Sequence, residues 1–94
     1  MDLQRSYRLD PQVALRPEPF GALAYHFGNR RLTFLRSPDV VAVVRALDDA
    51  ATVQAALEQC GIEPRRWPAF ERALGTLEAS DMLHLSEGEA GRAA

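Results

Sequence analysis

His26, His84 and Cys60 are the side chains of this 94-residue chain best suited to ligate a metal or attack a substrate. Their spacing supports neither role. The histidines are far apart in sequence, and neither has a Cys, Asp or Glu at a ligand spacing such as HxxH or HExxH. They read as half-exposed strand residues. Cys60 falls on an apolar helical stripe, where a thiol behaves as a small buried hydrophobe. A lone cysteine forms no internal disulfide and no thiol cluster for zinc or iron–sulfur ligation. The acid pairs Asp48-Asp49 and Glu87/Glu89 fall in a turn and a tail, so they read as solvated charge rather than general acid and base. Gly21, Gly28 and Gly61 stand alone with turn or capping work, and no phosphate cradle forms. Nothing assembles nucleophile, base and orienter. The chain reads as a non-enzyme with no cofactor.

The elements that must position any binding residues are legible from period and punctuation. Arg16 and Glu18 each precede a proline in "VALRPEPF", which makes the segment extended and confines it to a sheet edge. In "GALAYHF", Leu23, Tyr25 and Phe27 alternate with Ala22, Ala24 and His26, and the larger set is expected to face the core. Gly28-Asn29 suits a two-residue type II′ turn, and "RRLTFL" returns with Leu32 and Phe34 on one face and Arg31, Thr33 and Leu35 on the other. Ser37-Pro38-Asp39 starts a helix, with Val40, Val43, Val44 and Leu47 as its stripe. Thr52 caps a second helix, with Val53, Ala56, Leu57 and Cys60 inward, before Gly61 ends it. A third runs from about Pro64 or Arg65 to Ser80, with Trp67, Phe70, Leu74 and Leu77 inward. The expected fold is α+β, a three-stranded antiparallel β-meander followed by three helices, winged-helix-like. Residues 1–12 are expected as a flexible N-terminal arm, 13–85 as one domain, and 86–94 as a disordered acidic tail.

Charge separates two function classes. All eleven basic residues are arginines; residues 1–47 carry seven against four acids, a balance of +3, and residues 48–94 carry four against nine, a balance of −5. A winged-helix DNA-binding regulator is the alternative reading, with Arg65, Arg66 and Arg72 meeting phosphates from the third helix. Glu71, Glu78 and Asp81 on the same segment oppose it, and no nucleic-acid partner is expected. No apolar run of about 18 residues and no basic-then-apolar leader occurs. A cytoplasmic protein without a membrane partner follows as the expectation.

A meander leaves its last strand, Arg31 to Leu35, with one unpaired side. Either "MLHL" (82–85) or the N-terminal arm covers that edge, or an extended peptide adds to it as a further strand. In the second case a proline at Leu35 is expected to abolish binding by removing an edge donor or distorting the strand. The stretch "YRLDPQVALRPEPFGALAYHFGNRRLTFLRSPDVVAVV", and above all its block "LRPEPFGALAYHFGNRRLTFL", resembles the mycofactocin biosynthesis chaperones. These are precursor-peptide recognition elements related to the pyrroloquinoline quinone peptide chaperone. The resemblance covers about residues 6–85. It implies a peptide chaperone that binds the leader of a short ribosomally made precursor and presents it to a radical S-adenosylmethionine maturase, the catalyst. It also implies that the leader lies against the third strand in a groove walled by the third helix. By position this points to Arg31, Leu32, Thr33, Phe34, Leu35 and Arg36, with Arg66, Phe70, Ala73 and Leu77 on the helix wall. A rotation of one residue on that helix exchanges groove positions for core positions, and Leu32 and Phe34 are either groove or core.

Overall fold

The computed structural model describes residues 1–86, so the tail expected at 86–94 lies, apart from Ser86, outside the described residues. In chain order the elements are β1 (Tyr7–Leu9), β2 (Val13–Glu18), β3 (Gly21–His26), β4 (Leu32–Leu35), α1 (Pro38–Ala46), α2 (Val53–Gln59), a 3-10 turn at Pro64–Arg66, α3 (Trp67–Ala79) and β5 (Leu83–Leu85). The fold is α+β, with a β2-β3-β4 antiparallel meander and a separate two-stranded β1-β5 sheet. Both helix starts use the hydroxyls that the sequence marked. Ser37 Oγ accepts from the Asp39 N–H at 3.2 Å ahead of Pro38, and Thr52 Oγ1 accepts from the Ala55 N–H at 3.0 Å. Gly61, at φ +71°, turns the chain out of α2.

The sheet's inner face differs from the expected one. Ala22, Ala24 and His26 are buried, whereas Phe27, Leu32 and Phe34 are 62%, 52% and 51% exposed. In the ladder Ala22 stands opposite Leu35 and Ala24 opposite Thr33, so the helices cover the face with small side chains. The reason is distance: an alanine face lets the valines of α1 approach closely, and Leu35, Val43, Val44, Leu74 and Leu77 complete the core behind it. Gly21, at φ +147°, takes part in the same close approach, because a Cβ there would collide with the Leu35 carbonyl oxygen.

The β3–β4 connection is also longer than the two-residue turn expected. His26 accepts from the Arg30 N–H at 2.8 Å and donates its own N–H to the Arg31 carbonyl at 3.0 Å, enclosing residues 27–30. Arg30, not Gly28, takes the positive φ of +62°. Side chains close this loop: His26 Nδ1 accepts from the Gly28 and Asn29 N–H groups at 3.0 and 3.1 Å, and Asn29 Oδ1 accepts from the Arg31 N–H at 2.9 Å. Gly28 leaves room for the buried His26 ring, since a Cβ there would lie 2.8 Å from His26 Cε1.

The first twelve residues, expected as a flexible arm, contain a strand and a buried ring. Tyr7 pairs with Leu85 and Leu9 with Leu83, and Tyr7 belongs to the core. The Leu3 and Arg5 carbonyls accept from the Gln54 and Val53 N–H groups at 3.0 Å, satisfying donors that the first turn of α2 leaves open. The partners stand more than forty positions downstream, which is why local composition gave no sign of them.

Candidate peptide-binding groove

The arm and the Met82–Leu85 stretch pair with each other through β1 and β5. Neither lies beside β4, whose only strand partner among the described residues is β3. The His26–Arg31 backbone bond sets the phase of the β3–β4 ladder. Because antiparallel bonding alternates, Thr33 and Leu35 turn their N–H and C=O groups toward β3, while Leu32 and Phe34 turn theirs outward. No backbone partner meets those outward groups among the described residues. The opposite edge is blunted: on β2 the Val13 N–H donates to the Asp10 carbonyl at 2.9 Å, and Pro17 has no donor. A proline at Leu35 would therefore break the ladder to β3 rather than remove an edge donor. The outward donors belong to Leu32 and Phe34.

Beside that edge runs a groove of about 280 Å³ lined by Thr33, Phe34, Leu35, Arg36, Ser37, Val40, Ala73 and Thr76. Its walls are β4 and the Ala73–Thr76 side of α3, with the start of α1 closing one end. Two polar fasteners hold the walls apart. Arg66 donates to Asp39 Oδ2 at 3.0 Å where β4 leads into α1, and Asn29 Nδ2 donates to the Ser80 carbonyl at 3.0 Å at the hairpin end. α3 thus runs antiparallel to β4, pinned at both ends.

The residues that sequence reasoning singled out divide between groove, edge and core. Thr33, Phe34, Leu35, Arg36 and Ala73 line the groove. Leu32 and Arg31 are exposed beside it, and Arg36 lies over the Phe34 ring at 5.4 Å. Phe70 and Leu77 are buried in the core, with the Arg66 guanidinium 5.3 Å from the Phe70 ring. Ser37, Val40 and Thr76 line the groove and were not singled out. The signal for Thr76 was present, because Phe70, Leu74 and Leu77 already form the inward stripe and Ala73 and Thr76 fall beside it.

Other chemistry is accounted for structurally. His84 Nε2 lies 2.7 Å and His26 Nε2 3.7 Å from Asp10 Oδ2, so one carboxylate straps the two sheets together across a gap that sequence spacing could not reveal. The Gln12 N–H on Asp10 Oδ1, at 2.7 Å, is the largest influence holding that carboxyl below its usual 3.8; burial opposes it and His84 assists. His26 is buried, not half-exposed. Burial, and then the Asp39 charge, push the Cys60 thiol up, away from thiolate reactivity. Among the described residues no group of three or more His, Cys, Asp or Glu is placed to hold a metal ion, and no helix is long and apolar enough to cross a membrane. On the helix proposed for DNA, Arg65 pairs with Glu63 at 2.9 Å and Arg66 with Asp39 at 3.0 Å, which neutralises two of its three arginines.

Comparison with known proteins bears on the same segment. A curated relative from Mycolicibacterium smegmatis, named peptide chaperone MftB, is 49% identical over 78 residues, covering 83% of this chain and 76% of the relative. Proteins of the same name from Mycobacterium tuberculosis and Mycobacterium ulcerans are 45% identical over 82 residues and 44% over 88, covering 75% and 81% of their own lengths and 87% and 94% of this chain. No solved structure matches. The peptide chaperone MftB family matches residues 6–84, which span every strand and helix described above except Leu85 at the end of β5, and the chain belongs to that family.

Proposed function

We propose that this chain is a non-catalytic, cytoplasmic adaptor that captures the leader of the mycofactocin precursor peptide as a strand beside β4 and presents the peptide to a radical S-adenosylmethionine maturase. The observation that carries the reading is the outward-facing Leu32 and Phe34 backbone at the mouth of an apolar groove. Main-chain bonds to that edge supply affinity, and alternate leader side chains enter the groove between β4 and α3. A strand spaced at about 4.8 Å from β4 places its inward side chains over Thr33, Val40, Ala73 and Thr76. Apolar leader residues suit that lining. The exposed Arg30, Arg31 and Arg36 favour carboxylates at the ends of the bound segment.

Capture by the adaptor converts the encounter of peptide and maturase into a tethered one, at an effective concentration set by the chain between leader and modified end. The adaptor needs no catalytic group for this. Titration calorimetry with the leader alone, and with a precursor lacking it, tests the reading: heat is expected from the leader alone. Binding that follows the modified end instead would overturn it.

A further inference from the structure

The face of the meander opposite the helices is uncovered by any described element, and it is apolar. Cross-strand register places Leu23 beside Phe34 and Tyr25 beside Leu32 on this face. Phe27 meets Tyr25 edge to face at 5.1 Å, and Phe20 meets Phe34 likewise at 5.9 Å. Phe20, Phe27, Leu32 and Phe34 are 40%, 62%, 52% and 51% exposed. Two edge-to-face aromatic pairs on one largely exposed face are what a protein interface presents at its centre. Arginines border it: Arg16, whose side chain is 78% exposed and paired with Glu18 at 3.1 Å, Arg36 over Phe34, and Arg30 in the hairpin loop. A second copy of the chain would set these arginines against each other, so the charge pattern calls for a partner with carboxylates around an apolar patch.

Strand addition ties this face to the groove. A peptide added beside β4 becomes the fourth strand of the sheet, and its alternate side chains land on the open face beside Leu32 and Phe34. The helices cover its other side, so an enzyme reaches the bound segment from the open face or the outer edge. We infer that the open face is a second docking surface, that its occupant is the maturase through an acid-rimmed apolar patch, and that the captured leader completes the surface, so that the loaded chaperone binds the enzyme more tightly than the empty one. This rests on the capture reading above.

The test uses the full chain, the leader and the maturase. Phe27→Ser and Arg16→Glu change exposed side chains outside the groove, and melting curves establish that both variants fold. Both are expected to bind leader within twofold of wild type. The loaded Phe27→Ser chaperone is expected to bind the maturase at least tenfold more weakly, and Arg16→Glu to slow association at low salt. For wild type, maturase affinity is expected to rise several-fold on loading. Unchanged maturase affinity in both variants would place the enzyme elsewhere and overturn the proposal. Equal affinity of loaded and empty wild type would overturn the composite surface. A wild-type dimer in sedimentation equilibrium that Phe27→Ser abolishes would give the face to a second copy instead. If wild type takes up no leader, the capture reading fails, and the maturase titration with empty chaperone still decides the face.

Discussion

Proline scanning of β4 distinguishes strand addition from side-chain binding. Phe34 turns its N–H away from β3, so Phe34→Pro deletes an edge donor without breaking the native ladder, and edge strands tolerate proline in that orientation. Leu32 and Phe34 together present two N–H and two C=O groups, and each main-chain bond contributes roughly 0.5–1.5 kcal/mol net. Deleting the Phe34 donor also strands a leader carbonyl at the groove mouth, at a cost of about 1–3 kcal/mol. Phe34→Ala removes the ring alone and is the reference. Relative to it, Phe34→Pro is expected to weaken leader binding by roughly 5- to 150-fold, the equivalent of about 1–3 kcal/mol, in calorimetry. Leu35→Pro breaks an inward bond beside a buried side chain, and about 3 kcal/mol lost there would lower Tm by roughly 12 °C or more. Equal leader affinities for folded Phe34→Pro and Phe34→Ala would refute main-chain pairing at this edge.

Ala73→Leu fills the groove from α3 with a good helix former. Leader affinity is expected to fall roughly 5- to 150-fold with little change in Tm, and an unchanged affinity would remove α3 from the binding wall. Asp10 supplies the acid sensitivity. Its folded pKa is depressed, so its contribution to stability is present above the unfolded carboxylate range and is lost as pH falls through the folded value. Wild-type Tm is therefore expected to decline below about pH 4 more steeply than that of Asp10→Asn; parallel profiles would contradict the strap to Gln12 and His84.

Signals confined to a few neighbouring residues were legible in the sequence. Ser37 and Thr52 cap helices, Pro17 sits on an edge, and the meander order follows from short connections. The inward face of β3 was not legible, because a rule that puts the larger side chains inside fails where helices approach closely enough to need Ala22 and Ala24. The β1–β5 sheet was hidden for another reason: Tyr7 and Leu85 lie at opposite ends of the described chain, and two three-residue strands carry too little pattern to announce a pairing. The groove was half legible. Strand positions 33–36 line it, whereas on α3 the phase of the helix decides, and there Phe70 and Leu77 go to the core while Ala73 and Thr76 face the groove. The Asp10, His26 and His84 strap joins residues from three separate strands or their ends, a juxtaposition that only the fold creates.

Residue-resolved amide exchange on the chaperone, free and saturated with leader, addresses the vacancy at β4 most directly. In the free protein the Thr33 and Leu35 amides are expected to be protected and those of Leu32 and Phe34 to exchange quickly; leader should slow the latter pair by about tenfold or more. Leu32 and Phe34 amides already protected without leader, or still fast when leader is bound, would contradict strand addition at this edge.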